Sequence, residues 1–180
     1  MTNETEFILR LKDPKSKDAA FRELLSLYKE RLYWHIRKIV ISHDDADDVL
    51  QNTFIKVYRS IDKFKGDSKL YSWLYRIATN ESITHINRNA KRMQISNEEH
   101  QDLVINNLTA DVYFEGDEIQ LKLQKAIASL PQKQQLVFNM KYFDNLKYKE
   151  ISEILETSEG ALKASYHLAV KKIEAFLTED

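Results

Sequence analysis

The chain has no cysteine among its 180 residues. That excludes disulfide staples and thiolate metal sites, and it suits a reducing, cytoplasmic setting. Only three glycines and two prolines are present, too few for a turn-rich β architecture, so an all-α fold is expected. No apolar run approaches the roughly 20 residues that span a bilayer, and the start, Met1-Thr2-Asn3-Glu4, is acidic and polar, unlike a secretory signal. The five histidines, at 35, 43, 85, 100 and 167, are scattered, and there is no glycine-rich phosphate loop, nucleophile elbow or His-x-x-x-His helix. No catalytic residue, cofactor or metal is therefore expected. Asp44, Asp45, Asp47 and Asp48 do cluster, but at one end of an amphipathic stretch with no glycine-bearing loop to shape a calcium site.

One segment lacks charge of one sign altogether. Residues 93–121 hold seven Asp and Glu and no Lys or Arg, whereas residues 1–92 hold 18 Lys and Arg against 13 Asp and Glu, and residues 122–180 hold nine against eight. An abrupt loss of every cation marks a boundary. The chain is accordingly divided into a helical domain at 1–92, a flexible acidic linker at 93–114 and a second helical domain at 115–180. Ser96-Asn97-Glu98-Glu99 and Asn106-Asn107 within the linker are turn or disorder signals. Hydrophobic residues make up 43% of the chain, enough to fill small cores.

Apolar residues recur at helical spacing over residues 4–12, 18–41 and 45–61. Ser42-His43-Asp44-Asp45 offers N-caps for the third of these. Its acidic start and basic end compensate the helix dipole, and Asp48, Gln51 and Asn52 could alternatively form a docking face. The stretch from Phe64 to Asn80 then combines a loop, Phe64-Lys65-Gly66-Asp67-Ser68, with a helix from Leu70 that Ser68 could cap. Leu70, Trp73, Leu74 and Ile77 share one face of that helix, while Ser72, Arg76 and Thr79 lie on the other with Tyr75 beside them. An aromatic loop feeding a polar, basic helix face is the kind of surface that holds unstacked bases. The same aromatics could equally be core and boundary residues. The helix ends in Arg88, Lys91 and Arg92, which can grip phosphates or simply satisfy the dipole.

In the second domain, Pro131 suits the start of a helix and Asp144-Asn145 a turn. A short helix at 147–155, the turn Glu156-Thr157-Ser158 and a basic helix from Glu159 to about Leu177 make a helix-turn-helix pattern. Leu162, Tyr166, Ala169, Ile173 and Phe176 form its buried stripe. Lys163, Ser165, His167, Lys171 and Lys172 are left for solvent or DNA. Glu156 stands where glycine often provides the turn, so a left-handed backbone there carries strain.

Three segments in this order resemble the extracytoplasmic-function (ECF) sigma factors of bacterial RNA polymerase, in the sigma-70 superfamily. They are Asp47-Asp48-Val49-Leu50-Gln51-Asn52-Thr53-Phe54-Ile55-Lys56-Val57-Tyr58, then Phe64 to Asn80, then Leu130-Pro131 with Tyr148-Lys149-Glu150-Ile151-Ser152-Glu153-Ile154-Leu155 and Gly160-Ala161-Leu162-Lys163. The similarity covers nearly the whole chain. It implies a protein that is not an enzyme and that directs core polymerase to promoters from the cytoplasm. Asp48, Gln51, Asn52 and Phe54 would dock on polymerase. Phe64, Lys65, Asp67, Ser68, Lys69, Tyr75, Arg76, Thr79, Asn80 and Arg88 would bind the non-template strand of the −10 element, with Phe64 and Asn80 lining a pocket for a flipped base. Lys163, Ser165, Tyr166, His167, Lys171 and Lys172 would meet the −35 duplex. The resemblance also implies an anti-sigma factor as a partner. Two positions depart from the family pattern: Thr84 stands where an acid is common, and the arginines usual after the recognition-helix glycine are absent. A polymerase-independent helix-turn-helix repressor and a protein-binding adaptor are the alternatives; neither needs the Phe64 to Asn80 loop.

Overall fold

The computed structural model describes residues 3–108 and 117–179, and among them all regular structure is helical. The first domain comprises α1 (Asn3–Lys12), α2 (Lys17–Val40), α3 (His43–Ser60), a 3-10 turn (Ile61–Lys63) and α4 (Leu70–Met93). A linker helix, α5 (Asn97–Asn107), follows, and the second domain comprises α6 (Glu118–Ala128), α7 (Gln132–Tyr142), α8 (Tyr148–Leu155) and α9 (Glu159–Thr178).

Local sequence accounts for most boundaries. Ser42 accepts the N–H of Asp45 and starts α3; Ser158 accepts that of Ala161 and starts α9. Each satisfies a helix-end donor that would otherwise lack a partner. Pro131 stands at the N-cap of α7, where its missing N–H costs nothing. Asn145 and Glu156 adopt left-handed backbone, φ 52° at both. Glu156 thus carries the strain that the sequence suggested for the helix-turn-helix corner.

The acidic linker departs from expectation. Ser96 and Glu99 form a reciprocal capping box, so the polar run read as a turn or disorder signal is instead the start of α5. A serine followed three residues later by glutamate is a helix-start signature. The linker helix is tied to the second domain by Gln101, whose side-chain amide donates to the carbonyls of Ala128 and Leu130. Residues 109–114 of the expected linker lie outside the described residues.

The first domain buries Leu24, Leu32 and Ile36 of α2, Val49 and Val57 of α3, and Leu70 and Leu74 of α4 in one core. That core runs on without a break into Val137 and Met140 of α7 and Ile151 and Ile154 of α8. A second, smaller core holds Ile127, Leu130, Phe138, Ala169 and Ile173. The two domains are therefore packed together, with α8 lying against α4.

Candidate nucleic-acid interface

The loop between the 3-10 turn and α4 turns at Gly66, whose φ of +81° favours glycine even though its surroundings are open. Lys65, Asp67 and Lys69 are exposed and Ser68 is half-buried. Phe64 is not presented to solvent. It is only 4% exposed and its ring lies 5.1 Å from that of Trp73. In this structure it is a core residue that supports the loop, because its apolar ring gains more from Trp73 than from water. Asn80 and Arg88 are exposed on α4.

The expected polar front of α4 is mostly covered. Tyr75 and Thr79 are buried, so neither reaches a nucleic acid in this arrangement. Thr79 shares a 2.8 Å hydrogen bond with His35 of α2, and Tyr75 accepts a 3.0 Å bond from Arg31. Burial, with Asp144 nearby, pushes the Tyr75 phenol up to about 12. Arg76 donates to the Glu153 carbonyl at 2.5 Å and approaches Glu156 at 3.4 Å. Lys69 pairs with Glu150 at 3.4 Å. Tyr71 also hydrogen-bonds Glu150, and burial followed by that bond raises its phenol well above the ordinary value. Two of the expected −10 contacts, Tyr75 and Thr79, thus meet α2 rather than solvent, while the half-buried Arg76 and the exposed Lys69 reach across to the second domain.

Asp144 forms the second group of contacts between the domains. Its carboxylate meets His35 at 3.2 Å and Lys38 at 2.5 Å, with Asp144 itself 7% exposed. Burial works to raise its carboxyl, but the hydrogen bonds and charges of His35 and Lys38 outweigh this and hold it below the usual range. Neither His35 nor Asp144 was singled out by the sequence, which offered them only as a scattered histidine and a turn residue. His85 likewise has a structural role, pairing with Asp45 at 2.9 Å and with Asn89.

On α3, Asp48, Gln51 and Asn52 are exposed. Phe54 is 8% exposed and lies in a shallow groove with Phe21, Leu25, Ile55 and Tyr58. Ile55 and Tyr58 remain 43% and 37% exposed, so an acidic and amide-bearing stripe borders an open apolar patch. On α9, Lys163, His167, Lys171 and Lys172 are exposed and Ser165 is half-buried. Tyr166 stacks on Phe138 at 5.8 Å and joins both cores, so its ring is packing rather than readout surface here. Among the described residues no three acidic or histidine side chains are grouped as a metal site, and no helix is long and apolar enough to cross a membrane.

The chain matches the family model for sigma-70 region 2 over residues 24–92 and that for sigma-70 region 4 over residues 120–173. It is 30% identical to the ECF RNA polymerase sigma factor SigW of Bacillus subtilis, covering 88% of this chain and 89% of that protein. It is 27% identical to the ECF RNA polymerase sigma-E factor of Escherichia coli, covering 94% and 93%. Two solved structures share the fold. CnrH in complex with the cytosolic domain of CnrY superimposes with a TM-score of 0.71 at 20% identity over 98% of both chains. The sigma factor RpoE in complex with the anti-sigma factor NepR from Bartonella quintana gives 0.68 at 19% identity over 89% of this chain and 98% of that one. With both sigma-70 regions matched in order on two helical domains, the chain belongs to the ECF sigma factors of the sigma-70 family.

Proposed function

We propose that this sigma factor binds core RNA polymerase in the cytoplasm through α3 and brings it to promoters. The loop 64–69 and α4 take the −10 non-template strand, and α9 takes the −35 duplex. The observation that carries this reading is the exposed Asp48, Gln51 and Asn52 stripe beside the apolar groove of α3, on the same domain as an exposed, glycine-turned basic loop. An apolar patch with a polar rim suits a protein partner, and the basic loop suits a phosphate backbone. The residues 1–92, 93–114 and 115–180 serve as docking and melting domain, linker and anchoring domain. An anti-sigma protein is the regulator expected for it.

The energetics require polymerase. Separating stacked DNA costs about 1.4 kcal/mol per step, while holding one base on an aromatic ring returns roughly 1–3 kcal/mol. One small domain can offset the first steps of melting; the rest comes from the cleft of the enzyme it joins. The packed arrangement of α4 and α8 adds a condition. Lys69 and Arg76 are freed from Glu150, Glu153 and Glu156 when the second domain swings away from the first, so the promoter-bound form is the open one, whereas Tyr75 and Thr79 stay held by Arg31 and His35 of α2.

In vitro transcription from a genomic library, with core polymerase and with or without the protein, is expected to reveal new start sites. An unchanged set of starts would refute the proposal. Asp48→Arg reverses a charge on the exposed docking stripe and should weaken core binding roughly tenfold; an unaltered affinity by fluorescence titration removes α3 as the docking helix. Lys163→Ala should lower −35-dependent transcription about two- to fivefold, as loss of one phosphate contact does. Equal effects on intact and −35-scrambled promoters would remove that role. The missing arginines leave Lys163, His167 and Lys171 as positioning contacts rather than as guanine readers. Asn80 and Arg88 are the exposed α4 residues offered to the −10 strand.

A further inference from the structure

The first helix has no part in the function described so far, yet it holds both ends of the loop 64–69. The Glu4 carboxylate accepts the N–H of Leu70 at 2.6 Å. The Lys12 ammonium donates to the carbonyl of Phe64 at 2.5 Å. Glu4, Ile8 and Lys12 lie four residues apart, on one face of α1, and all three line the pocket that Lys65, Gly66, Ser68 and Lys69 complete. The start of α4 has no cap of its own. Its N-cap residue, Lys69, makes no side-chain cap bond, and Ser68 only approaches the Lys69 carbonyl, at 3.4 Å. The cap comes instead from 66 positions away. The helix that provides it is itself fixed, by Leu11 with no exposed surface and by the Arg10–Glu23 ion pair at 2.7 Å.

We propose that α1 is a positioning element for −10 recognition, with Glu4 and Lys12 setting the height and angle of the loop that takes the single strand. The proposal rests on the assignment of loop 64–69 to the −10 element. The loop has no regular structure between Phe64 and Leu70, and an unanchored loop would have to be ordered at the moment of binding. Two charge-assisted bonds, one at each end, do that ordering beforehand. Neither residue needs to touch DNA. Both act through the backbone of the loop, so they govern discrimination between sequences more than overall charge attraction.

The test uses holoenzyme assembled from the full chain. It is offered a pool of single-stranded DNA oligonucleotides with a randomised window; the motif selected by the wild type is then titrated against its scrambled version. Glu4→Ala should reduce the selected-to-scrambled affinity ratio about tenfold, the size expected for losing one charge-assisted bond. Glu4→Gln, which keeps the acceptor oxygen, should restore most of it. Lys12→Met, which keeps the apolar stem, should give a similar loss independently. Core affinity and the thermal melt are measured for every variant. A wild-type ratio in both Glu4→Ala and Lys12→Met overturns the proposal. So does a loss shared equally by the scrambled strand or by core binding, since that is general destabilisation. Tighter binding by Glu4→Ala overturns it too, since the carboxylate would then be competing with a phosphate for the helix end. A Lys65→Ala, Asp67→Ala double variant separates the layers. If it alters the ratio while Glu4→Ala does not, the positioning role fails alone; if it also leaves the ratio unchanged, the −10 assignment fails and the positioning role with it.

Discussion

Asp144→Ala is expected to part the two domains while leaving each helical. The substitution strips His35 and Lys38 of the one carboxylate that both contact, and it does so where His35 has no exposed surface. Removing one partner of a buried pair commonly costs about 3–5 kcal/mol; Lys38 is 16% exposed, so the lower end of that range applies. In urea, the wild type should unfold with its two domains coupled through the shared core, and the variant should show two separated transitions. Small-angle scattering should show a larger radius of gyration. A variant that keeps the wild-type radius and a single transition would refute the latch. The open variant should also transcribe at lower protein concentration than the wild type, because Arg76 and Lys69 no longer start out engaged with Glu153, Glu156 and Glu150.

The same carboxylate implies a direction in pH. Its folded value lies below the ordinary one, so its contribution is complete above the ordinary carboxylate value of about 4 and is lost as the pH falls through the lower, folded value. His35 and Lys38 face it directly, with Arg31 and Tyr75 close by. Scattering across an acid titration should therefore show the closed form persisting through neutral and mildly acid conditions and opening only in strong acid.

Phe64→Ala and Asn80→Ala should separate packing from recognition. Phe64 is buried against Trp73, and truncating such a ring costs about 3–5 kcal/mol. The variant should lose that much stability in a denaturant melt and lose open-complex formation along with it. Asn80 is exposed on α4, so Asn80→Ala should stay within about 0.5 kcal/mol of wild type and still impair promoter opening, read by permanganate reactivity of unpaired thymines. If Phe64→Ala melts like the wild type while losing −10 binding, the ring does meet a base and the packing role is wrong.

The helices and their order were legible because their signals are local. Ser42, Ser158 and Pro131 mark helix starts within a turn of the residues they act on, and the apolar spacing of α2, α3 and α9 is intrinsic to their own segments. Glu156 in a left-handed backbone follows from its place at the helix-turn-helix corner, where glycine often provides the turn. The capping box at Ser96 and Glu99 is equally local, but the acidic composition around it resembles disorder and masks the signal. Lys65, Asp67, Asn80, Lys163 and Asp48, Gln51 and Asn52 of α3 are exposed.

The rest depends on residues distant in sequence. A helical wheel assigns one buried face to α4, whereas α4 is packed on two sides, by α2 and α3 and then by α8. That packing buries Tyr75 and Thr79 against Arg31 and His35 of α2 and engages Arg76 with Glu153 of α8. The wheel cannot register it, because periodicity reports how apolar a face is and not what a polar face meets. Phe64 moved inward for a related reason: an aromatic next to a glycine turn reads the same whether its ring points at a base or at Trp73.

The sequence by itself determined most of the helices, the serine caps of α3 and α9 and the family, since each rests on neighbours within a few residues or on motifs in a fixed succession. Tertiary structure alone decided that Glu4 rather than Ser68 caps α4, that Lys12 holds the Phe64 carbonyl, and that Asp144 joins His35 and Lys38 across the domains. Those contacts span separations of 52 to 109 positions. A side chain so far from its partner leaves no periodic or local trace, and only the packing of the helices brings the two within a bond length of each other.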